Sequence, residues 1–136
     1  MMINIKETNK WILGATGYVG QLVTQKLFKD RINGNWSGQL ITLGQKTILP
    51  WIMERTNFHL FSLNAIPESL LEKYPPSAIY HCARMAGNND RSRSIAAGKG
   101  YRANERLIHL LNDLNPKIPV VYCSGTLMYG NTGAMV

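Results

Sequence analysis

One heptapeptide constrains this chain more than any other stretch: Gly14-Ala15-Thr16-Gly17-Tyr18-Val19-Gly20. It follows a short apolar run, Lys10-Trp11-Ile12-Leu13-Gly14. It precedes a segment with apolar residues at Val19, Leu22, Val23 and Leu27, spacings that share one helical face. A strand must therefore turn at once into a helix. Gly14 admits a tight turn that a Cβ would block. Gly17 lets a ligand approach the backbone, and Gly20 lets the helix lie close to the sheet. Amides left open at a helix start, aligned with the helix dipole, suit a diphosphate. In this strand–turn–helix context the turn reads as a dinucleotide-binding loop. The plainer alternative is a glycine-rich turn that holds no ligand.

Four further strand-length apolar runs follow: Gln39–Leu43, Asn57–Phe61, Ala78–Ala83 and Ile118–Cys123. Between them lie helical patterns. Pro67–Lys73 opens with Pro and Glu and is stopped by Pro75-Pro76. Ala103–Leu114 carries Leu107, Leu110, Leu111 and Leu114 on one stripe, and Asn115-Pro116 ends it. Thr47–Arg55, with Pro50 inside, predicts only a poor or short helix. Strands alternating with helices imply parallel βαβ units. The expected fold is α/β: a Rossmann-like, doubly wound parallel sheet of about five strands in three layers. The 136 residues are read as one domain, 1–136.

Composition removes several classes. With 45% hydrophobic residues the chain does not resemble a disordered one. No apolar run approaches the roughly 20 residues of a membrane span. No secretory signal opens the sequence, so a cytoplasmic location is expected. Two cysteines, Cys82 and Cys123, are too few for a disulfide scaffold. They end neighbouring predicted strands, close to the expected cofactor cleft, and read as small, inert core residues, with a redox role as the alternative. No His/Cys cluster has metal-ligand spacing. His59 and His109 read as strand and helix positions, core or surface. The three tryptophans lack the stacking pattern of a single-strand nucleic-acid binder.

Four pieces in order resemble the extended short-chain dehydrogenase/reductase family, which includes the sugar-nucleotide epimerases and dehydratases. They are the GxxGxxG turn, His81-Cys82-Ala83-Arg84 on the fourth strand, Asn104 ahead of the Leu-rich helix, and Val121-Tyr122-Cys123-Ser124-Gly125-Thr126-Leu127-Met128-Tyr129-Gly130. The resemblance covers most of residues 10 to 130. It implies that the turn residues Gly14 to Gly20 bind NAD or NADP, joined by Ser62 and Leu63 after the third strand, by Cys82, Ala83 and Arg84, and by Asn104. It assigns His81 a structural role. It implies hydride transfer at a carbonyl or alcohol carbon, with a nucleotide sugar or similar phosphorylated substrate. It also implies a homodimer contact through the helix after Asn104.

The departures concern catalysis. The family's hydroxyl-bearing position on the fifth strand falls on Gly125, which leaves Ser124 and Thr126 as the flanking candidates. The family's Asp-Leu after the third strand is Ser62-Leu63, and the Gly-Thr that follows the family's Asn is absent. None of the six tyrosines has a lysine four places on. In the family that Tyr-x-x-x-Lys pair supplies the acid/base, with the lysine lowering the tyrosine's pKa. The chain is therefore expected to bind cofactor while being catalytically incomplete, either as part of a longer enzyme, which is favoured, or as a truncated, binding-only protein. A non-enzymatic dinucleotide sensor is the alternative function.

Charge bears on the ligand. From Gly34 to Met53 there is no acid to hold a ribose 2′-hydroxyl, whereas Lys46 follows the second strand and suits a 2′-phosphate. That favours NADP and leaves NAD open. Of the formal net charge of +7, much lies between Arg84 and Arg106, with six basic and two acidic residues. This stretch suits substrate phosphates or is simply a solvated helix face. A nucleic-acid binder is ranked low, since no recognition motif accompanies the charge.

Overall fold

The computed structural model describes residues 8–83, 90–114 and 117–123. In chain order the elements are β1 (Thr8–Leu13), α1 (Tyr18–Ile32), β2 (Gly38–Gly44), α2 (Pro50–Arg55), β3 (Asn57–Leu60), a 3-10 turn (Leu63–Ala65), α3 (Glu68–Lys73), β4 (Pro76–His81), α4 (Asp90–Leu114) and β5 (Val120–Tyr122). The five strands lie in the order β3-β2-β1-β4-β5, and every neighbouring pair is parallel. The chain winds outward from β1 to β3, then returns to the other side of β1 for β4 and β5. That reversal opens a crevice beyond the carboxyl ends of β1 and β4, where open α/β sheets bind ligands.

The pleat divides the core in two. On one face Trp11, Leu13, Ile41, Leu43 and Ile79 meet Ile66, Leu71 and the α4 residues Ala103, Leu107 and Leu111. On the other, Ile12 and Leu40 meet Ala15, Leu27 and Ile52, with Trp36 and Phe58 partly buried beside them. Successive strand residues point to opposite faces, so both clusters draw on the same strands. This is the three-layer Rossmann-like arrangement expected. Several polar groups inside it are paired, while the buried His59 Nε2 has no hydrogen-bond partner. Trp11 Nε1–H donates to the Tyr74 carbonyl at 2.8 Å, which ties the end of α3 to β1. The Thr42 and Thr56 hydroxyls meet at 2.6 Å, linking β2 to the residue that closes α2.

Two helical expectations are corrected. Leu27 is buried and Val23 packs against the core as expected, but Gly20 and Thr24 complete the inward face of α1, while Val19 and Leu22 are 46% and 51% exposed. Gly20 sets this rotation by lying against the glycine turn, and Thr24 follows one turn later with its hydroxyl donating to the Gly20 carbonyl at 2.7 Å. The last helix begins at Asp90 rather than Ala103. Among its described side chains those before Ala103 are exposed or half-buried, and Ala103 is the first buried one. At its other end Leu114 leaves the stripe and is 36% exposed. The segment from Thr47 to Arg55 does form a short helix, which starts at Pro50, where the missing N–H costs nothing.

No helix among the described residues is long and apolar enough to cross a membrane. Among them there is also no cluster of three side chains able to hold a metal ion.

Candidate functional site

The crevice is a cleft of about 490 Å³. Every residue of the heptapeptide except Ala15 lines it, together with Leu63, Cys82 and Ala83. Ala15 is fully buried instead, and its N–H donates to the Leu43 carbonyl at 2.9 Å, which pins the turn to β2. Gly14 sits at φ 72°, and a Cβ there would stand 2.7 Å from the Ala83 backbone. The turn and the end of β4 are thus in backbone contact, reinforced by Cys82 N–H donating to Leu13 C=O at 2.9 Å. At Gly20 a Cβ would stand 1.9 Å from the Gly14 carbonyl oxygen. Gly17 differs: its Cβ would meet only that oxygen, at 3.5 Å, so its exposed side is free for a ligand.

Gly17 precedes α1 and offers no capping side chain, and no acidic residue sits in the first turn. The first amide paired back into the helix is that of Gln21, to Gly17 C=O at 2.9 Å. The amides of Tyr18, Val19 and Gly20 precede any intrahelical partner, and they line the cleft with the helix dipole behind them. A cradle whose closest approaches leave no room for Cβ atoms, with uncapped amides and no carboxylate, fits a diphosphate.

The remaining expected residues are dispersed. Lys46 is exposed just beyond β2 and is not in the lining, whereas Gly44 and Gln45 are. Ser62 is half-buried ahead of the 3-10 turn, and its neighbour Leu63 takes the lining position. Asn104 faces β4: His81 Nε2–H donates to Asn104 Oδ1 at 2.7 Å. An oxygen can only accept, so this bond places the imidazole proton on Nε2. His81 is 3% exposed and its ring stacks on Tyr122 at 4.9 Å. Burial holds its pKa below the ordinary value despite the Asn104 bond, so it packs as a neutral ring. Arg84, Ser124 and Thr126 lie outside the described residues, as does the Tyr129-Gly130 segment.

Sequence reasoning passed over Gln45, Phe61 and Ile66, all in the lining, whereas Cys123, expected close to the cleft, does line it. Gln45 stood beside a lysine that drew attention by its charge. The two apolar residues are supplied by the chain between β3 and α3, whose inward turn has no periodic signal. The Leu stripe of α4 packs against the sheet. Its basic residues Arg91, Lys99, Arg102 and Arg106 are exposed and absent from the described lining.

Comparison with known proteins gives this geometry a family. The chain belongs to the NAD-dependent epimerase/dehydratase family, whose model matches residues 11–135. The resemblance read from the motifs is borne out. Among solved structures it is similar to a nucleoside-diphosphate-sugar epimerase from Agrobacterium tumefaciens, at 24% identity and a TM-score of 0.57 over 88% of this chain and 38% of that one. It is also similar to the Bordetella bronchiseptica enzyme WbmH in complex with NAD+, at 17% identity and a TM-score of 0.64, covering 91% of this chain and 41% of that one. A third is UDP-glucose-4-epimerase from Stenotrophomonas maltophila with bound NAD and formylated UDP-arabinopyranose, at 16% identity and a TM-score of 0.61, covering 96% and 41%. At these identities the likeness is one of fold. The chain spans about two fifths of the length of each. No curated protein matches it.

Proposed function

We propose that this chain is the NAD(P)-binding part of an epimerase/dehydratase- or reductase-like oxidoreductase acting by hydride transfer, with a nucleotide sugar as the substrate class. The observation that carries the reading is the glycine cradle at the sheet's switch point, open at Gly17 and faced by uncapped amides. The family is NAD-dependent by description, and two proteins of the same fold hold NAD, one of them with a nucleotide sugar. When bound, the nicotinamide ring would supply the hydride acceptor or donor.

The chain's own residues bind and orient. The amides at the start of α1 hold the diphosphate. Phe61, Leu63 and Ile66 give one wall an apolar surface suited to a flat base. Gln45 offers an uncharged amide to ribose hydroxyls, and Lys46 reaches for a 2′-phosphate, which keeps NADP ahead of NAD. Arg84 and the stretch after β5, with Ser124 and Thr126, are proposed for the substrate side. Since the Leu stripe is taken up by the sheet, a homodimer contact on α4 would fall to its opposite face, where Tyr101 and Ile108 are exposed.

Thermal unfolding with NAD, NADP and neither tests the proposal. Ligand at about 100 times its Kd adds about 2.7 kcal/mol. For 136 residues that raises Tm by about 9 °C. No shift with either dinucleotide at millimolar concentration would remove the reading. Measurable oxidation of a nucleotide sugar by this chain would remove the sensor and the expectation of catalytic incompleteness together.

A further inference from the structure

The two cysteines end β4 and β5, and the register brings them face to face. His81 pairs with Tyr122, so Cys82 and Cys123 are the next pair along the same two parallel strands. Their sulfurs are 2.9 Å apart, both residues are half-buried free thiols, and both line the cleft. Neighbouring strands lie about 4.8 Å apart, inside the roughly 4.4–6.8 Å Cα window of a disulfide. From 2.9 Å, the sulfurs need approach by only about 0.9 Å to reach a bond of about 2.05 Å. The backbones are fixed for that approach. Cys82 N–H donates to Leu13 C=O at 2.9 Å and Cys123 N–H to His81 C=O at 3.0 Å. Two inert packing residues would not need to share one open cleft.

We propose that Cys82 and Cys123 form a reversible oxidation site in the wall of the cleft, closed to an intramolecular disulfide by a peroxide and reopened by a dithiol, and that a bound dinucleotide slows the closure. The second half rests on the dinucleotide reading above; the first does not.

The chemistry balances. The Cys123 sulfur attacks one oxygen of hydrogen peroxide and the O–O bond breaks. Sulfur loses two electrons to the peroxide, and the thiol proton leaves with the departing hydroxide as water. The Cys82 sulfur then attacks the sulfenic acid, the S–S bond forms and the S–O bond breaks. The Cys82 proton leaves with that second hydroxide as another water. Two thiols and one peroxide give one disulfide and two waters. Burial, the contact with Cys123 and the neighbouring sulfur's charge push the Cys82 thiol up to about 12, so at neutral pH Cys82 rests as the thiol, and Cys123 is assigned the first attack on the peroxide. Closure draws both sulfurs toward each other within the lining that would face a bound dinucleotide, and a dinucleotide lying over them keeps the peroxide out.

The test oxidises the full chain with hydrogen peroxide, with and without saturating NAD, and follows intact mass and disulfide peptides over time. Calorimetry measures NAD and NADP binding independently. Expected are a loss of about 2 Da with a Cys82–Cys123 cross-linked peptide, recovery with dithiothreitol, and at least fivefold slower closure with NAD. Cys82→Ser and Cys123→Ser should each stop at sulfenic or sulfinic products. Accumulation of singly oxidised cysteines in the unaltered chain, or only intermolecular disulfides, would overturn the site. Closure at the same rate with NAD shown to be bound would overturn the shielding. Closure with neither NAD nor NADP binding in the calorimeter supports the site and counts against the dinucleotide reading alone.

Discussion

Replacing Gly20 with alanine puts a methyl carbon 1.9 Å from the Gly14 carbonyl oxygen, 2.7 Å from its carbon and 2.9 Å from Ala15 Cα. All three neighbours are backbone, so no side chain can swing aside. Restoring an ordinary 3.4 Å contact requires the start of α1 and the turn to part by about 1.5 Å. Overpacking costs about 1–3 kcal/mol, and a rigid backbone neighbour puts this case near 3. Alanine's better helix propensity offsets about 1 kcal/mol. The net loss of about 2 kcal/mol lowers Tm by about 7 °C in a chain of 136 residues. Gly17→Ala is the contrasting variant. Its φ of −76° suits any residue, and its new Cβ meets only the Gly14 oxygen at 3.5 Å. A small loss at the helix cap and a small gain from a stiffer unfolded chain nearly cancel, so Tm should stay within about 2 °C. The methyl group does stand where the diphosphate would approach, so dinucleotide affinity should fall at least about tenfold, or about 1.4 kcal/mol. Scanning calorimetry without ligand and titration calorimetry with NAD and NADP read both effects. Unchanged affinity in Gly17→Ala would show that no diphosphate lies against Gly17. An unchanged Tm in Gly20→Ala would show that the close packing of α1 on the turn is wrong.

Asn104→Leu should cost about 1–3 kcal/mol in urea unfolding, because it leaves the buried His81 Nε2–H without an acceptor; a neutral result would mean the bond contributes nothing. Burial lowers the His81 pKa below 6.5, so the unfolded chain takes up a proton before the folded one; this share of stability is present above pH 6.5 and lost as pH falls toward the folded pKa, by at most about 1.4 kcal/mol per pH unit. His59, also lowered by burial and by Lys73, should add less because it is more exposed; His81→Phe should flatten the acid limb of a Tm-against-pH curve, and an unaltered limb would refute the assignment. Lys46→Ala should weaken NADP about three- to tenfold and leave NAD unchanged, which titration calorimetry reads; equal losses would mean that Lys46 does not distinguish the two.

What was legible in the sequence follows from where the information resides. The strands announce themselves because runs such as Leu40-Ile41-Thr42-Leu43 are buried on both faces, and each lies within two residues of its expected bounds. The glycine turn is legible because its requirements are those of the backbone: only glycine clears Ala83 at position 14 and the Gly14 carbonyl at position 20. The rotation of α1 is not legible, since the residue that decides it has no side chain and the hydrophobic count favours Val19 and Leu22 instead. The partnership of His81 with Asn104 is also hidden. Both residues stand out singly, but their pairing across 23 positions depends on how α4 lies on β4. Gln45 was passed over because membership of the lining depends on which strand ends the topology gathers, which local composition does not encode.

The same division decides what holds a phosphate here. The basic residues described on α4 are exposed on the helix and absent from the cleft lining. At physiological salt a charge is screened over about 8 Å, so exposed arginines acting through water contribute little to a ligand they do not touch. The amides at the start of α1 are in the lining and fixed by the turn, with Ala15 bonded to Leu43 C=O and Gly14 pressed on Ala83. They need no side chain to be immobilised when a ligand arrives, so little ordering entropy opposes them. The positive charge of the chain is therefore neither necessary nor sufficient for the proposed site, and this is why a net charge of +7 pointed only weakly to a ligand while three glycines pointed strongly. Lys46 is likewise exposed and outside the lining, so any discrimination it gave under the proposed reading would be confined to the second phosphate of NADP and to low salt.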